Sequence, residues 1–304
     1  MWNKASFLTR LVASSVRISE AAGATIKNVM TGGDLKIIDK SIEGEPADLQ
    51  TEADRRAQYL IVKSLTERFG NINIIGEEDV TSECSGVVNS FAVDVLRLED
   101  ELSPDLKSVK PEDDVTSECA GVVNSFAVDV LRLEDELSSD LKSVKPEDVV
   151  VWVDPLDGTA EVALAIKNNN LTQPQRVVVT TRSHLSQSVT DALNALKEKG
   201  LVDVIEKYGG AGYKVIKVLE GSAAYVFASS GCKKWDTCAV EAVLCAAGGQ
   251  LTDISGRLLC YESSVQRNNT GGVLASAPWV NHEEYIGSIP KVLKDQLPEI
   301  AAKS

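Results

Sequence analysis

Two aspartates stand three positions apart directly after an apolar run, in the stretch VVVWVDPLDGTAEV, residues 149–162. Pro155 stiffens the turn between Asp154 and Asp157, and Gly158 lets the backbone come close to a ligand. Carboxylates held at such short range repel each other unless a cation lies between them. Mg²⁺ takes hard oxygen ligands and usually shares them with water and phosphate, so the turn indicates a magnesium-assisted phosphate site. The same spacing, taken alone, also suits an Asx-turn or a helix cap.

Three further acidic residues follow helix or strand signals elsewhere in the chain. Asp54 lies at the start of a predicted helix in DLQTEADRRAQ, Glu77 lies just past a predicted strand in IIGEED, and Asp236 precedes an apolar helix in GCKKWDTCAVEAVL. Each has a structural explanation of its own, because Asp54 and Asp236 suit helix N-termini and Glu77 suits a solvated turn. The case for a site depends on their joint occurrence.

Helices and strands alternate along the chain, which predicts a mixed α and β fold. Helical spacing covers the opening segment, about Gln50–Phe69, and Ser183–Gly200, while apolar or β-branched runs predict strands at NINII before Gly76, Val149–Val153, Arg176–Thr181 and Ala223–Ala228. Loops at the carboxyl ends of such strands face a crevice in α/β proteins. The Asp-Pro-Leu-Asp turn follows one of these ends.

Composition excludes several classes of protein. The chain has 304 residues, 43% of them hydrophobic, and a net charge of −14, so it can bury a core but would repel a nucleic-acid backbone. An anionic substrate therefore needs a local cation. The six cysteines form no C-x-x-C pair and nothing near the N-terminus resembles a secretory signal, so we expect free thiols and a cytoplasmic protein. No apolar run is long enough to predict a membrane span.

A tandem repeat occupies the middle of the chain. Residues 79–113 recur as residues 114–148 and differ only at Ser85/Ala120 and Pro104/Ser139. Two copies do not form a solenoid, since stacked repeats need about three units to bury a shared core. The near-identity is typical of a recent duplication or of a gene-model artefact.

The motifs DLQTEADRRAQ, IIGEED, VVVWVDPLDGT, TTRSH, GGAGYK and YVFASSGCKKWDTCAVEAVL, in this order, resemble the inositol monophosphatase superfamily, and within it the bisphosphate nucleotidase branch. The resemblance implies an α+β fold, a layered α-β-α-β-α sandwich of the inositol monophosphatase type. It also implies an N-terminal metal-binding part, residues 1–165, and a C-terminal nucleotide-binding part, residues 166–304.

The resemblance also implies a set of site residues. Two or three Mg²⁺ ions would be held by Glu77, Asp154, the carbonyl of Leu156, Asp157 and Asp236. Thr159 would orient the attacking water and, with Asp54 as its base, help to deprotonate it. The nucleotide would be bound by Thr181, His184, Gly210, Lys214 and Asp236, with Lys214 supplying the cation for a 5′-phosphate.

The activity implied is a Mg²⁺-dependent, lithium-sensitive hydrolysis of the 3′-phosphate of 3′-phosphoadenosine 5′-phosphate to AMP by metal-activated water, in a monomer whose partner is a small nucleotide. Two alternatives remain: an inositol phosphate phosphatase, and a non-catalytic or defective variant. The second arises because only ALAIKNNNLTQPQ, residues 163–175, stands where the family has several strands. Missing strands would leave sheet edges without partners.

Overall fold

The computed structural model describes residues 5–32, 35–40, 49–78, 132–157 and 175–297. The chain divides into two compact units, a first unit of residues 1–36 and 52–155 and a second unit of residues 37–51 and 156–304. The predicted boundary at 165/166, all of the first repeat copy and most of the second lie outside the described residues. The predicted domain division therefore stays a prediction.

In chain order the helices are α1 Phe7–Gly32, α2 Glu52–Phe69, α3 Ser139–Lys142, α4 Gln187–Glu198, α5 Ala211–Leu219, α6 Cys238–Ala246, α7 His282–Ser288 and α8 Lys291–Gln296. The strands are β1 Ile38–Asp39, β2 Leu49–Gln50, β3 Asn73–Gly76, β4 Val150–Val153, β5 Val177–Thr181, β6 Val204–Tyr208, β7 Ala224–Phe227, β8 Gln250–Thr252 and β9 Val273–Ser276. The predicted helices and strands match α1, α2, α4, α6, β3, β4, β5 and β7 to within a few residues at their ends, and the other elements were not predicted.

The first unit is built from two packed helices and a short parallel sheet. The apolar residues of α1 recur at helical spacing, so that Leu11 and Ile18 share one face and pack with Leu65 of α2 and with Ile72. Ala22 of α1 packs against α2 in a second small cluster. Strands β3 and β4 pair in parallel, with Asn73 opposite Val150 and Gly76 opposite Val153. The carboxyl ends of both strands therefore lie side by side.

The end of the second repeat copy contacts the start of α1. The Oε2 atom of Glu134 accepts hydrogen bonds from the Ser6 amide at 3.0 Å, the Ser6 hydroxyl at 2.8 Å and the Thr9 hydroxyl at 2.6 Å. A carboxylate at this position satisfies N-terminal donors that have no partner within the helix. Glu134 thus joins the second repeat copy to the first unit.

The second unit contains a five-stranded sheet in the order β6-β5-β7-β9-β8. Strands β6, β5 and β7 are parallel, while β9 pairs antiparallel with both β7 and β8. All residues of β5, β7 and β9 are buried, as expected for central strands that are covered on both faces. Helix α4 begins at a Ser186 cap, whose side chain accepts from the Val189 amide, and it packs Val189, Leu193 and Leu196 into this core.

A separate two-stranded antiparallel sheet, β1 with β2, also belongs to the second unit. Among the residues that the structure describes, no helix combines the length and apolar character needed to cross a membrane.

Candidate active site

The carboxyl ends of β3 and β4 bring two predicted metal ligands of the first unit to neighbouring positions. Glu77 directly follows Gly76 and Asp154 directly follows Val153, and the register pairs Gly76 with Val153. The Glu77 amide continues this pairing with a 3.0 Å hydrogen bond to the Val153 carbonyl. Both acidic side chains are partly buried. Two carboxylates at adjacent strand ends are a donor set suited to a hard cation.

Helix α2 places the predicted base of the first unit. Asp54 lies in the first turn of α2 and is only 1% exposed. One helical turn later, Gln58 is also 1% exposed, so both side chains lie on the same buried face of α2. Apolar periodicity alone would have predicted aliphatic side chains at such positions.

Gln58 braces the turn that carries Glu77. Its carboxamide oxygen accepts from the Glu78 amide at 2.9 Å, and its carboxamide nitrogen donates to the Glu78 carbonyl. Gly76 makes room for this contact, since a Cβ atom there would lie 2.6 Å from the Gln58 carboxamide carbon. The motif spacing identified Glu77 but gave no indication of Gln58, whose only sequence signal is its position four residues after Asp54.

In the second unit, Asp157 contacts the glycine-rich start of α5. Its Oδ2 atom accepts from the Tyr213 amide at 2.9 Å. Gly210 adopts a φ of 62° and stands so close to this carboxylate that a Cβ atom would collide with it, and at Gly212 the Cβ would lie 3.0 Å from Asp157 Oδ2. Gly210 was predicted to bind the nucleotide; in the structure, Gly210 and Gly212 leave room for the carboxylate of Asp157. Leu156, the predicted carbonyl ligand, is partly buried next to it.

Asp236 lies in a tight turn before α6. Its Oδ2 atom accepts from the Lys233 amide at 2.6 Å. Burial raises the pKa of Asp236 to about 6; the negative charge of Asp157 also raises it, while the Lys233 amide and the charge of Lys214 act in the opposite direction. Asp157 and Asp236 therefore interact electrostatically within one unit. A cation between them would relieve the cost of keeping both ionised.

A buried asparagine fixes this turn. Asn269 is fully buried; its amide donates to the Cys232 carbonyl at 2.8 Å, and its side-chain nitrogen donates to the Lys233 carbonyl at 2.8 Å and to the Thr237 hydroxyl at 3.1 Å. Both ends of the turn around Asp236 are thus tied to one side chain. The sequence offered no motif that could have identified Asn269.

Lys214 supplies a buried positive charge beside the two acids of the second unit. The residue is 4% exposed, and its Nζ donates to the Gly210 carbonyl at 2.5 Å and to the Tyr208 carbonyl at 3.5 Å. The same Nζ lies 5.0 Å from the centre of the Tyr225 ring. A cation in this position is already surrounded by acceptors.

The other predicted nucleotide-binding residues lie at the carboxyl end of β5. Thr181 is buried and its hydroxyl accepts from the His184 amide at 3.2 Å, while His184 itself is exposed. Thr181 is paired with Tyr208 of β6, and Gly210 follows two residues later. Parallel pairing of β5 with β6 therefore brings Thr181 and the start of α5 to the same edge of the sheet.

Thr159, the predicted water-orienting residue, lies outside the described residues. Within the described part of either unit, no three acidic, histidine or cysteine side chains form a group that could hold a metal ion. Each unit contributes two of the predicted carboxylate ligands: Glu77 and Asp154 in the first, Asp157 and Asp236 in the second.

Comparison with known proteins relates almost the whole chain to the inositol monophosphatase family. The model of the inositol monophosphatase family matches residues 8–163 and 161–294. The chain is 34% identical to 3′(2′),5′-bisphosphate nucleotidase 1 of Homo sapiens over 343 residues, which cover 95% of this chain and 97% of that protein. The two family matches overlap at residues 161–163, next to the segment where strands were predicted to be missing.

Two solved structures share the fold. The IMPase of Thermotoga maritima matches with a TM-score of 0.52 at 15% identity and covers 94% of this chain and 99% of its own. The extragenic suppressor protein suhB of Bartonella henselae matches with a TM-score of 0.53 at 13% identity and covers 91% of this chain and 97% of its own. With the helices and mixed sheet described above, these matches confirm the predicted fold class.

Proposed function

The chain belongs to the inositol monophosphatase family, and on that basis we propose that it is a Mg²⁺-dependent phosphoric monoester hydrolase acting on a 3′(2′),5′-bisphosphate nucleotide. The proposed reaction removes the 3′-phosphate of 3′-phosphoadenosine 5′-phosphate and leaves AMP. The nucleotide class rests on the 34% identity to the human nucleotidase over 95% of the chain.

The observation that carries the phosphatase chemistry is the interaction of Asp157 with Asp236. Burial raises the pKa of Asp236 to about 6, and the negative charge of Asp157 adds to the cost of ionising Asp236 in the folded chain. Such a pair fits a divalent cation, because only a cation offsets both burial and repulsion. Oxygen ligands without sulfur or imidazole favour Mg²⁺ over zinc.

The proposed ligands of two or three Mg²⁺ ions are Glu77, Asp154, the Leu156 carbonyl, Asp157 and Asp236. Members of the family are generally Mg²⁺-dependent. When bound, Mg²⁺ would offset the negative charge of the phosphate oxygens and acidify the attacking water. Lithium sensitivity is part of the same proposal.

The chain's own residues supply the remaining steps. Thr159 would orient the water, and Asp54, held in the first turn of α2, would accept its proton. Lys214 and Asp236, with Thr181, His184 and Gly210, would bind and orient the nucleotide. Because the Lys214 ammonium is buried among carbonyl oxygens, it would act on a 5′-phosphate as a fixed charge with little freedom to lose.

The setting proposed for this activity is a monomer in the cytosol. The four cysteines of the described residues are free thiols, as is usual where glutathione keeps thiols reduced.

Phosphate release by the purified protein tests the proposal. Incubation with 3′-phosphoadenosine 5′-phosphate should release phosphate with Mg²⁺, release none with EDTA, and release less with added Li⁺. Parallel reactions with inositol 1-phosphate and 5′-AMP distinguish a nucleotidase from an inositol phosphate phosphatase. Absence of release from every substrate, by a protein that melts cooperatively, would contradict the proposal and favour a non-catalytic relative.

A further inference from the structure

We propose that Gln58 is a positioning residue for the metal ligand Glu77, acting through the backbone of Glu78. The inference rests on the proposed function, in which Glu77 holds Mg²⁺. It assigns to α2 a second task besides presenting Asp54.

The contact is two-sided and buried. The carboxamide of Gln58 pairs with both the amide and the carbonyl of Glu78, the residue directly after Glu77. Gln58 is 1% exposed, so water does not compete for these groups. A side chain that accepts from the amide and donates to the carbonyl of one residue holds the peptide groups on both sides of that residue, and this fixes both the position and the rotation of the turn. An apolar side chain of the same volume would fill the space but fix neither.

Gly76 shows that the turn is built around this amide. A Cβ atom at position 76 would lie 2.6 Å from the Gln58 carboxamide carbon and nitrogen and 2.7 Å from its oxygen. The φ of Gly76 is not in the left-handed region, so the backbone conformation alone does not require glycine. The absence of a side chain at position 76 is explained by the approach of Gln58.

The placement of Gln58 links two proposed roles. Asp54 precedes it by one helical turn on the same buried face of α2, while Glu77 follows β3. The amide pairing therefore sets how the end of β3 meets the helix that carries the proposed base. Outer groups that orient metal ligands typically change metal affinity or activity by about 10- to 100-fold when removed.

The first test is Gln58→Met, which keeps the volume of the side chain and removes both hydrogen bonds. Mn²⁺ serves as the probe, and free Mn²⁺ is measured by electron paramagnetic resonance during titration of the protein. We expect the tightest Mn²⁺ site to weaken about 10- to 100-fold, and the Mg²⁺ concentration for half-maximal phosphate release to rise in parallel, with a smaller change in the KM for nucleotide. Gln187→Met, at an exposed glutamine of α4, is the matched control.

The second test uses Gly76→Ala, whose new methyl group should displace the Gln58 side chain although Gln58 itself is not substituted. This variant should reproduce the loss of Mn²⁺ affinity. In a Gln58→Ala background the same methyl group has space, so Gly76→Ala should cause little further loss of Mn²⁺ affinity. This cycle still applies if Gln58→Met fails to melt cooperatively.

The outcomes separate this inference from the proposed function. If the Gln58→Met variant binds Mn²⁺ more weakly than the wild-type protein, and the wild-type protein releases no phosphate, the positioning role is supported and the proposed reaction is contradicted. Mn²⁺ affinity within 2-fold of wild type in a folded Gln58→Met variant, or Gly76→Ala losses that persist without Gln58, would overturn the positioning role even in an active enzyme.

Discussion

Among the described residues, the two units differ in the size of the apolar cores that support their carboxylates. In the second unit one continuous core joins the buried strands β5, β7 and β9 to helices on the sheet, and the turn of Asp236 is attached to it through Cys232. In the described part of the first unit, by contrast, α1 and α2 form two small apolar clusters, one of which packs against Ile74 of β3 and Val151 of β4. Among the described residues, turns that carry predicted metal ligands are thus supported by extensive apolar packing in the second unit and by less in the first.

This difference explains why polar braces matter most in the first unit. A large, close-packed core resists local displacement, because moving one element disturbs many contacts. With few such contacts, the end of β3 depends on specific hydrogen bonds from Gln58. We therefore expect perturbations of the second unit to separate activity from folding, and perturbations of the first unit to couple them more closely.

The largest effect is expected from Asp236→Asn. Asp236 is a proposed metal ligand, and removal of its charge should lower kcat by at least about 1,000-fold, since metal stabilisation of the transition state is worth several kcal/mol. The folded pKa of Asp236 is about 6 against an ordinary value of 3.8, so the ionised group destabilises the metal-free folded state at neutral pH. The variant should therefore be more stable in EDTA, by up to about 3 kcal/mol.

Urea unfolding in EDTA and in Mg²⁺ measures this effect. Glu262→Gln removes one acidic charge from an exposed residue and is the control for net charge. An Asp236→Asn variant that loses stability in EDTA, or that retains near-wild-type turnover, would show that the large core of the second unit does not hold a strained ligand pair.

A smaller effect is expected from equal truncations in the two cores. Leu196 of α4 is fully buried in the continuous core of the second unit, and Leu60 of α2 is 1% exposed in the small cluster with Ala22 and Ala57. Leucine-to-alanine changes cost about 2–5 kcal/mol, and the cost depends on how far the surroundings can collapse into the cavity. We expect Leu196→Ala near the upper end and Leu60→Ala near the lower end.

Urea unfolding followed by circular dichroism gives both free energies, and the exposed Leu258→Ala serves as the control. A Leu60→Ala cost equal to or above that of Leu196→Ala would mean that the first unit is packed as tightly as the second. The comparison drawn above would then be wrong.

The sequence predicted the strands and the position of the acidic residues because both depend on local order. The apolar run Val149–Val153 forms a strand over Val150–Val153, which is partly buried except at its buried last residue, and the residue after it necessarily lies at the strand's end. The parallel pairing of β3 with β4, which brings Asp154 beside Glu77, was not predicted from the sequence.

The braces could not be predicted, because they join residues that are distant in sequence. Asn269 contacts a turn more than thirty residues earlier in the chain, and Gln58 contacts Glu78 twenty residues later. Burial of Lys214 against carbonyl oxygens likewise depends on where α5 starts relative to β6. The role of Lys214 towards a phosphate remains a prediction, as do those of the other site residues.

The smallest effect concerns His282, which joins β8, β9 and α7 in the second unit. Its ring nitrogens lie 2.9 Å from the Thr252 hydroxyl and 2.7 Å from the Ser276 hydroxyl, and burial lowers its pKa below the ordinary 6.5. Near pH 6.5 the unfolded chain therefore binds a proton at His282 more readily than the folded chain does. The free energy of unfolding is highest above pH 6.5 and falls as the pH drops below this value, by at most about 1.4 kcal/mol per pH unit. Asp236 contributes the opposite slope between its unfolded value of 3.8 and its folded value of about 6, so the measurement compares variants at each pH. His282→Gln should flatten the decline of the free energy of unfolding between pH 7.5 and 5.5. His184→Gln, at the other histidine of the chain, is the control and should keep this decline. The reverse pattern would place the acid sensitivity outside the continuous core of the second unit.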